Sequence, residues 1–135
     1  MHKVYIVGAG PGAPDLITVR GMDLLRRADV LIYAGSLVNP ALVAESGAGV
    51  RLDSWGMTLE EIVDAVEEHV LAGRLVVRLH SGDPALYGAI VEQMAEFSRR
   101  GIEAEIVPGV SSLFAAAAAL KTQFTLRDVS ESLIV

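Results

Sequence analysis

Residues 3–14 read KVYIVGAGPGAP, an apolar run that ends abruptly in a loop of small residues, glycine and proline. Positions 4 to 7 are all apolar, whereas a strand with one solvated face would alternate between apolar and polar side chains. We therefore predict a strand over residues 3–7 that is buried on both faces. Strands of this kind are typical of parallel sheets that helices cover on both sides.

Short apolar runs recur along the chain, and apolar residues at helical spacing fill the stretches between them. The further predicted strands cover residues 29–33, 75–79, 102–107 and 132–135. The predicted helices cover residues 15–27, 58–72, 85–100 and 111–120. Strands that alternate with helices predict an α/β domain with a mainly parallel sheet flanked by helices, and right-handed crossovers between its strands.

Two of the predicted helices carry clear end signals. Thr58 and Glu61 have the spacing of a capping box, and Gly73 follows the same helix, where a left-handed C-cap is expected. Asp83 and Pro84 predict the start of the next helix, with Asp83 as N-cap and Pro84 at the first helical position.

The composition is that of a small globular domain. The chain has 135 residues, 52% of them hydrophobic, no cysteine and a formal net charge of -6. The high apolar fraction excludes intrinsic disorder, and the absence of cysteine excludes a disulfide scaffold or a thiolate metal site. The acidic balance argues against nucleic acid, and the first apolar run is too short for a signal peptide or a membrane span. We expect a cytoplasmic domain.

The loop after the first predicted strand contains part of a dinucleotide-binding pattern, in Gly8, Gly10 and Ala13. Two features weaken that interpretation. Pro11 and Pro14 remove two amides that a pyrophosphate would use, and Tyr33, at the end of the second predicted strand, is not followed by the acidic residue that binds a ribose. A tight turn beside another ligand, or a turn that only reverses the chain, fits the loop as well.

Ligands of open α/β sheets bind at the carboxyl ends of strands, so the later loops also matter. Gly82 allows a ligand to approach the backbone, and Asp83 combines a capping role with a carboxylate that can accept hydrogen bonds. Ser111 or Ser112 can cap the alanine-rich helix that follows, and one cap does not account for both serines. The sequence therefore predicts a cleft lined by glycine backbones and small polar side chains.

Acid–base and metal chemistry have little support. The histidines, His2, His69 and His80, lack the spacing of metal ligands, and only His80 lies at a strand end. No Ser/His/Asp set, nucleophile elbow or phosphate-binding Gly-Lys-Ser/Thr loop is present in the sequence. We therefore predict no metal site and expect binding and positioning to dominate over acid–base catalysis.

Three motifs resemble, in order and spacing, those of the tetrapyrrole (corrin/porphyrin) methylase family. They are VYIVGAGPGAPDLIT at residues 4–18, SGDP at residues 81–84 and VPGVSS at residues 107–112. The similarity covers essentially all 135 residues. Residues 33–38, 82–90, 92–94 and 114–119 are most similar to the members that methylate carbon 11 of precorrin-4 or cobalt-precorrin-4 in cobalamin biosynthesis.

The resemblance implies methyl transfer from S-adenosyl-L-methionine to a ring carbon of a macrocyclic polycarboxylate. The sulfonium donor is already activated, so alignment and removal of water can provide much of the acceleration. The positions that match donor-binding residues of the family are Pro11, Ser81, Gly82, Asp83, Leu86, Ser111 and Ser112. In one relative, a carboxylate that is proposed to act as a general base follows the tyrosine of the second strand. This chain has Ala34 at that position, so no catalytic residue is assigned.

The resemblance also implies a second α/β domain, because family members bind the donor in a cleft between two such domains. This sequence stops near the expected connection, so we expect residues 1–135 to be the N-terminal methylase domain. Alone, it should bind the donor weakly and not turn over. The family further implies a homodimer, a small-molecule tetrapyrrole substrate, and neither nucleic acid nor membrane as partner.

Three other functions stay open at this point. A related methylase could act at another ring position or on a substrate that is not a tetrapyrrole. A nicotinamide-dependent oxidoreductase would depend on Gly8, Gly10 and Ala13 alone. A domain that only folds or self-associates would use none of these loops.

Overall fold

A computed structural model describes residues 2–135, which form a parallel sheet between two layers of helices. The strands are β1 (Lys3–Gly8), β2 (Val30–Tyr33), β3 (Val50–Asp53), β4 (Val76–His80) and β5 (Glu103–Val107). The helices are α1 (Val19–Arg27), α2 (Pro40–Glu45), α3 (Leu59–Leu71), α4 (Ile90–Arg99) and α5 (Ser112–Ala119). A 3-10 turn at Pro14–Leu16 precedes α1. The predicted α/β class is confirmed.

The strand order is β3-β2-β4-β1-β5, and every strand pair is parallel. The chain moves outward from β1 to β2 and β3, returns to insert β4 beside β1, and then adds β5 on the other side of β1. The carboxyl ends of β4, β1 and β5 are therefore neighbours at one edge of the sheet. Such a reversal of direction is where open α/β sheets bind ligands.

The core lies on both faces of the sheet, as the consecutive apolar residues of β1 predict. On one face α1 and α2 bury Leu25 and Leu42 against Val7. On the other face α3 and α4 bury Val66 and Phe97 against β1 and β4. Arg78 of β4 is buried on the face of the sheet that α3 and α4 cover, with 6% of its surface exposed.

The predicted strand at residues 132–135 is wrong, since those residues pair with no strand of the described structure and lie largely exposed. The fifth strand is instead β3, at the edge of the sheet beside β2. Its residues alternate between half-buried and exposed, so it lacks the continuous apolar signal of the central strands. The short helix α2, which Asn39 caps through its side chain, was also missing from the sequence prediction.

Two predicted helix starts are wrong. The stretch 15–27 divides into the 3-10 turn and α1, because the Thr18 side chain accepts a hydrogen bond from the Gly21 N–H and starts the α-helix there. The predicted helix at 85–100 begins only at Ile90. Tyr87 and Ala89 have φ values of 58° and 50°, in the left-handed region, which no α-helix can contain.

The capping box of α3 is confirmed. The Glu61 N–H donates to Thr58 Oγ1 at 3.1 Å, and the Thr58 N–H donates to Glu61 Oε2 at 3.1 Å. Replacing Thr58 with alanine should lower the free energy of unfolding by about 1 kcal/mol, because an N-terminal amide of the helix loses its partner. Urea denaturation measures the change, with the exposed Thr125→Ala as a matched control. An equal loss in both variants would contradict the capping role.

Candidate functional site: a cavity at the carboxyl edge of the sheet

The loops that follow β1, β4 and β5 meet through their backbones. The Gly10 N–H donates to the Gly82 carbonyl at 3.2 Å, and the Gly82 N–H donates to the Gly10 carbonyl at 2.8 Å. A Cβ atom on Gly8 would lie 2.7 Å from the Gly109 backbone, and one on Gly109 would lie 2.2 Å from the Gly82 carbonyl oxygen. Only glycine allows this approach.

Asp83 connects two of these loops with its carboxylate. Oδ1 accepts a hydrogen bond from the Ala85 N–H at 2.8 Å, and Oδ2 accepts one from the Gly109 N–H at 2.9 Å. The first bond stabilises a turn rather than the start of α4, which corrects the predicted N-cap role. The second bond joins the loop after β4 to the loop after β5. Asp83 therefore sets the spacing between two walls of the site.

We expect Asp83→Ala to lower the free energy of unfolding by about 2 kcal/mol, because two backbone amides lose an acceptor at once. Asp83→Asn keeps one acceptor oxygen and should lose less. Urea denaturation gives both values, and amide hydrogen exchange at Gly109 reports the inter-loop bond directly. Unchanged exchange at Gly109 in Asp83→Ala would contradict this role.

One cavity of about 610 Å³ lies above these loops. Every residue that the sequence singled out for the donor lines it: Pro11, Ser81, Gly82, Asp83, Leu86, Ser111 and Ser112. The wall nearest β2 includes Ala34 and Leu37. The fold thus brings six residues from three separate motifs, together with Leu86, into one cavity, and their contact with a donor stays a prediction.

The two serines have different local roles. Ser111 is the N-cap of α5, and its Oγ accepts a hydrogen bond from the Leu113 N–H at 3.4 Å. Ser112 is the first residue of the helix and lines the cavity without serving as the cap. One cap did not account for both serines in the sequence. In the structure, Ser111 caps the helix and Ser112 is available to a ligand.

His80 also borders the cavity, although no ligand role was predicted for it. Burial, together with the positive charge of Arg78, lowers the pKa of His80 to about 4, against a smaller raising effect from Gln93. His80 is therefore neutral at pH 7. Burial also lowers the pKa of Arg78 to about 10, which leaves its guanidinium charged at neutral pH. Residues 92–94 belong to the family resemblance, but it assigned Gln93 no role, because the contacts of Gln93 with Gly88, Ala89 and His80 form only in the folded chain.

The dinucleotide interpretation fails in the structure. A pyrophosphate site needs free amides in the glycine loop and a helix that starts directly from it. Here the Gly10 amide is bonded to Gly82, and the 3-10 turn separates the loop from α1, which starts at Val19. This loop is built to contact its neighbour rather than to cradle a phosphate.

Across residues 2–135, no helix combines the length and apolar character needed to cross a membrane. The same residues bring together no group of three or more metal-ligating side chains.

Comparison with known proteins gives the family. The family model described as Tetrapyrrole (Corrin/Porphyrin) Methylases matches residues 3–134. A cobalt-precorrin-4 C(11)-methyltransferase of Priestia megaterium is 52% identical over 134 residues, which are 98% of this chain and 52% of that protein.

Solved structures agree with this result. A cobalt precorrin-4 methyltransferase superposes with a TM-score of 0.94 at 52% identity, over 97% of this chain and 55% of that chain. A uroporphyrin-III C-methyl transferase from Thermus thermophilus, complexed with S-adenyl homocysteine, superposes with a TM-score of 0.82 at 33% identity. The match covers 96% of this chain and 53% of that chain. This sequence spans about half the length of the relatives that it matches. The resemblance in its three motifs is confirmed, and the chain belongs to the tetrapyrrole (corrin/porphyrin) methylase family.

Proposed function

We propose that this chain is the N-terminal domain of an S-adenosyl-L-methionine-dependent methyltransferase that acts on carbon 11 of precorrin-4 or cobalt-precorrin-4 in cobalamin biosynthesis. The observation that carries the proposal is the single cavity that all seven predicted donor-binding residues line. Identity of 52% to a cobalt-precorrin-4 C(11)-methyltransferase over nearly the whole chain supports the proposed ring position and substrate class.

The cavity suits a donor that needs orientation rather than activation. When bound, S-adenosyl-L-methionine supplies an electrophilic methyl group on a sulfonium. The domain contributes small polar groups at Ser81 and Ser112, an apolar wall at Leu86 and a backbone surface at Gly82. Asp83 holds the loops at their spacing instead of serving as a free carboxylate. Fixing the donor in one orientation and excluding water is the expected source of rate acceleration.

No residue of the described chain is assigned as a general base. Ala34 lines the cavity after β2, at the position where a relative has a carboxylate. His80 is neutral at pH 7, but its low pKa makes it a weak base. Positioning therefore remains the proposed contribution of this domain.

The polycarboxylate substrate needs unpaired positive charge, and this domain offers little of it. Five of its eleven Lys and Arg side chains pair with its own carboxylates: Lys3 with Glu103 and Glu105, Arg26 with Glu45, Arg27 with Asp23, Arg99 with Glu96, and Arg100 with Asp64 and Glu67. We propose that a second α/β domain and a homodimer partner, acting in the cytoplasm, supply the remaining cations.

Ligand binding to this chain tests the donor site. In amide NMR spectra, S-adenosyl-L-homocysteine should shift the signals of Ser81, Gly82 and Ser112, whereas NAD should not. Binding is expected to be weak, because only part of the family's cleft is present. Shifts confined to residues remote from the cavity, or the same shifts with NAD, would contradict the donor site.

Methyl transfer tests the reaction and the ring position. The complete protein should transfer a labelled methyl group from S-adenosyl-L-methionine to precorrin-4 or its cobalt form, and NMR of the product should place the label on carbon 11. A label on another ring carbon would favour a related methylase instead. The 135-residue chain alone is expected to show no turnover.

A further inference from the structure

Three buried side-chain polar atoms in the described part of the chain lack a hydrogen-bond partner, and they belong to neighbouring side chains. They are Nε of Arg78, Nε2 of His80 and Oε1 of Gln93. Arg78 and His80 are two residues apart on β4, so their side chains lie on the same face of the sheet. Arg78 and Gln93 both influence the pKa of His80, which places all three in one cluster.

The orientation of Gln93 is fixed by its other contacts. Its Nε2 donates to the Gly88 carbonyl at 3.2 Å and to the Ala89 carbonyl at 3.4 Å. Both partners are acceptors, so the nitrogen must face them and the oxygen must face away. Oε1 is thus available to a donor on the β4 side. The same bonds hold the left-handed segment at Tyr87 and Ala89, which borders the cavity.

The proton on His80 can now be assigned by complementarity. If Nε2 carried no proton, its lone pair would add a second buried acceptor beside Gln93 Oε1, and Arg78 Nε–H could satisfy only one of the two. If Nε2 carries the proton, it can donate to Oε1, whose second lone pair remains for Arg78. Buried polar groups are rarely left unpaired, so the second arrangement is favoured.

Part of the acceptor capacity of the cavity wall near His80 is already used within the fold. The backbone carbonyls of His80 and Gly82 accept from Ala9 at 2.6 Å and from Gly10 at 3.2 Å. The Asp83 carboxylate accepts from two further backbone amides. The acceptors that remain for a ligand N–H group are the hydroxyls of Ser81 and Ser112 and an unprotonated ring nitrogen of His80.

We propose that neutral His80 donates its Nε2 proton to Gln93 and presents an unprotonated Nδ1 to the cavity, where it accepts a hydrogen bond from an N–H group of the bound adenosyl ligand. The contact between Nδ1 and the ligand rests on the proposed function, whereas the tautomer does not. Gln93 then acts as a positioning residue, because its amide fixes the His80 tautomer and the neighbouring cavity wall. The ligand group that this site recognises is an amine or ammonium group, which donates a hydrogen bond to the neutral imidazole.

The test uses imidazole ¹H–¹⁵N NMR of the chain at neutral pH, where the tautomer is read without any ligand. We expect His80 to be protonated on Nε2. Arg78→Met should leave that tautomer in place, whereas Gln93→Met should shift the population towards Nδ1–H. An Nδ1–H tautomer in the unsubstituted chain, or a tautomer that follows Arg78 instead, would overturn the assignment.

Adding S-adenosyl-L-homocysteine separates this inference from the proposed function. The expected result is a shift of the His80 Nδ1 signal together with the cavity amides. Shifts of the cavity amides with no change at Nδ1 would overturn the acceptor role while leaving the donor site intact. No ligand-induced shift anywhere, with the Nε2–H tautomer present, would count against the proposed function and support the tautomer assignment.

Discussion

Gly109→Ala is expected to lower the free energy of unfolding by about 3 kcal/mol or more. The added Cβ would lie 2.2 Å from the Gly82 carbonyl oxygen and 2.9 Å from the Gly8 Cα. Both neighbours are backbone atoms, one in the loop after β4 and one at the end of β1, so no side-chain rotation can relieve the clash. Overpacking of this kind costs up to about 3 kcal/mol, and more where the surroundings cannot move.

Gly49→Ala is the matched control, because a Cβ there meets no atom within 4 Å and the glycine does not have a positive φ. We expect a change close to zero, or a small stabilisation from the lower entropy of the unfolded chain. Urea denaturation measures both variants, and amide exchange at Gly10 and Gly82 reports whether the loops have separated. Wild-type stability in Gly109→Ala would show that the three loops do not meet as described.

The second large effect is a pH dependence that His80 imposes on stability. Burial lowers its folded-state pKa from 6.5 to about 4, so between these values the unfolded chain binds a proton that the folded chain does not. The contribution is fully present above pH 6.5 and is lost as the pH falls towards 4. A difference of about 2.5 pH units corresponds to about 3 kcal/mol.

The variant His80→Gln removes the titrating group and should remove this part of the pH dependence. Carboxylates also destabilise the fold on acidification, so the relevant quantity is the difference between the variant and the unsubstituted chain across pH 7 to pH 4. Ser81→Ala, at the neighbouring position, should keep the full dependence. Parallel curves for His80→Gln and the unsubstituted chain would show that His80 does not stay neutral through folding.

The central strands were predictable because their signal is local. In β1 and β4 the consecutive apolar residues reflect burial on two faces, which any sequence window can show. The edge strand β3 has only one neighbour and a half-exposed surface, so its pattern is weak. In contrast, residues 132–135 have the apolar pattern of a strand but pair with no strand of the described structure.

The start of α4 shows a different limit. Asp83 and Pro84 form a good local start signal, yet the helix begins six residues after Pro84. Gln93 holds the intervening carbonyls, and Gly88 packs so tightly that a Cβ would lie 2.1 Å from the Pro84 carbonyl oxygen. These contacts form only when the segment is already folded back, so no sequence window contains them.

By itself, the sequence determined the α/β class, the capping box at Thr58 and Glu61, and the family of the three motifs, because each depends on residue types at short spacing. Only the tertiary structure decided that the motifs share one cavity, that Asp83 joins two loops and that His80 is buried near Arg78 and Gln93. The physical reason is the strand order. Inserting β4 beside β1 places loops from distant parts of the chain side by side.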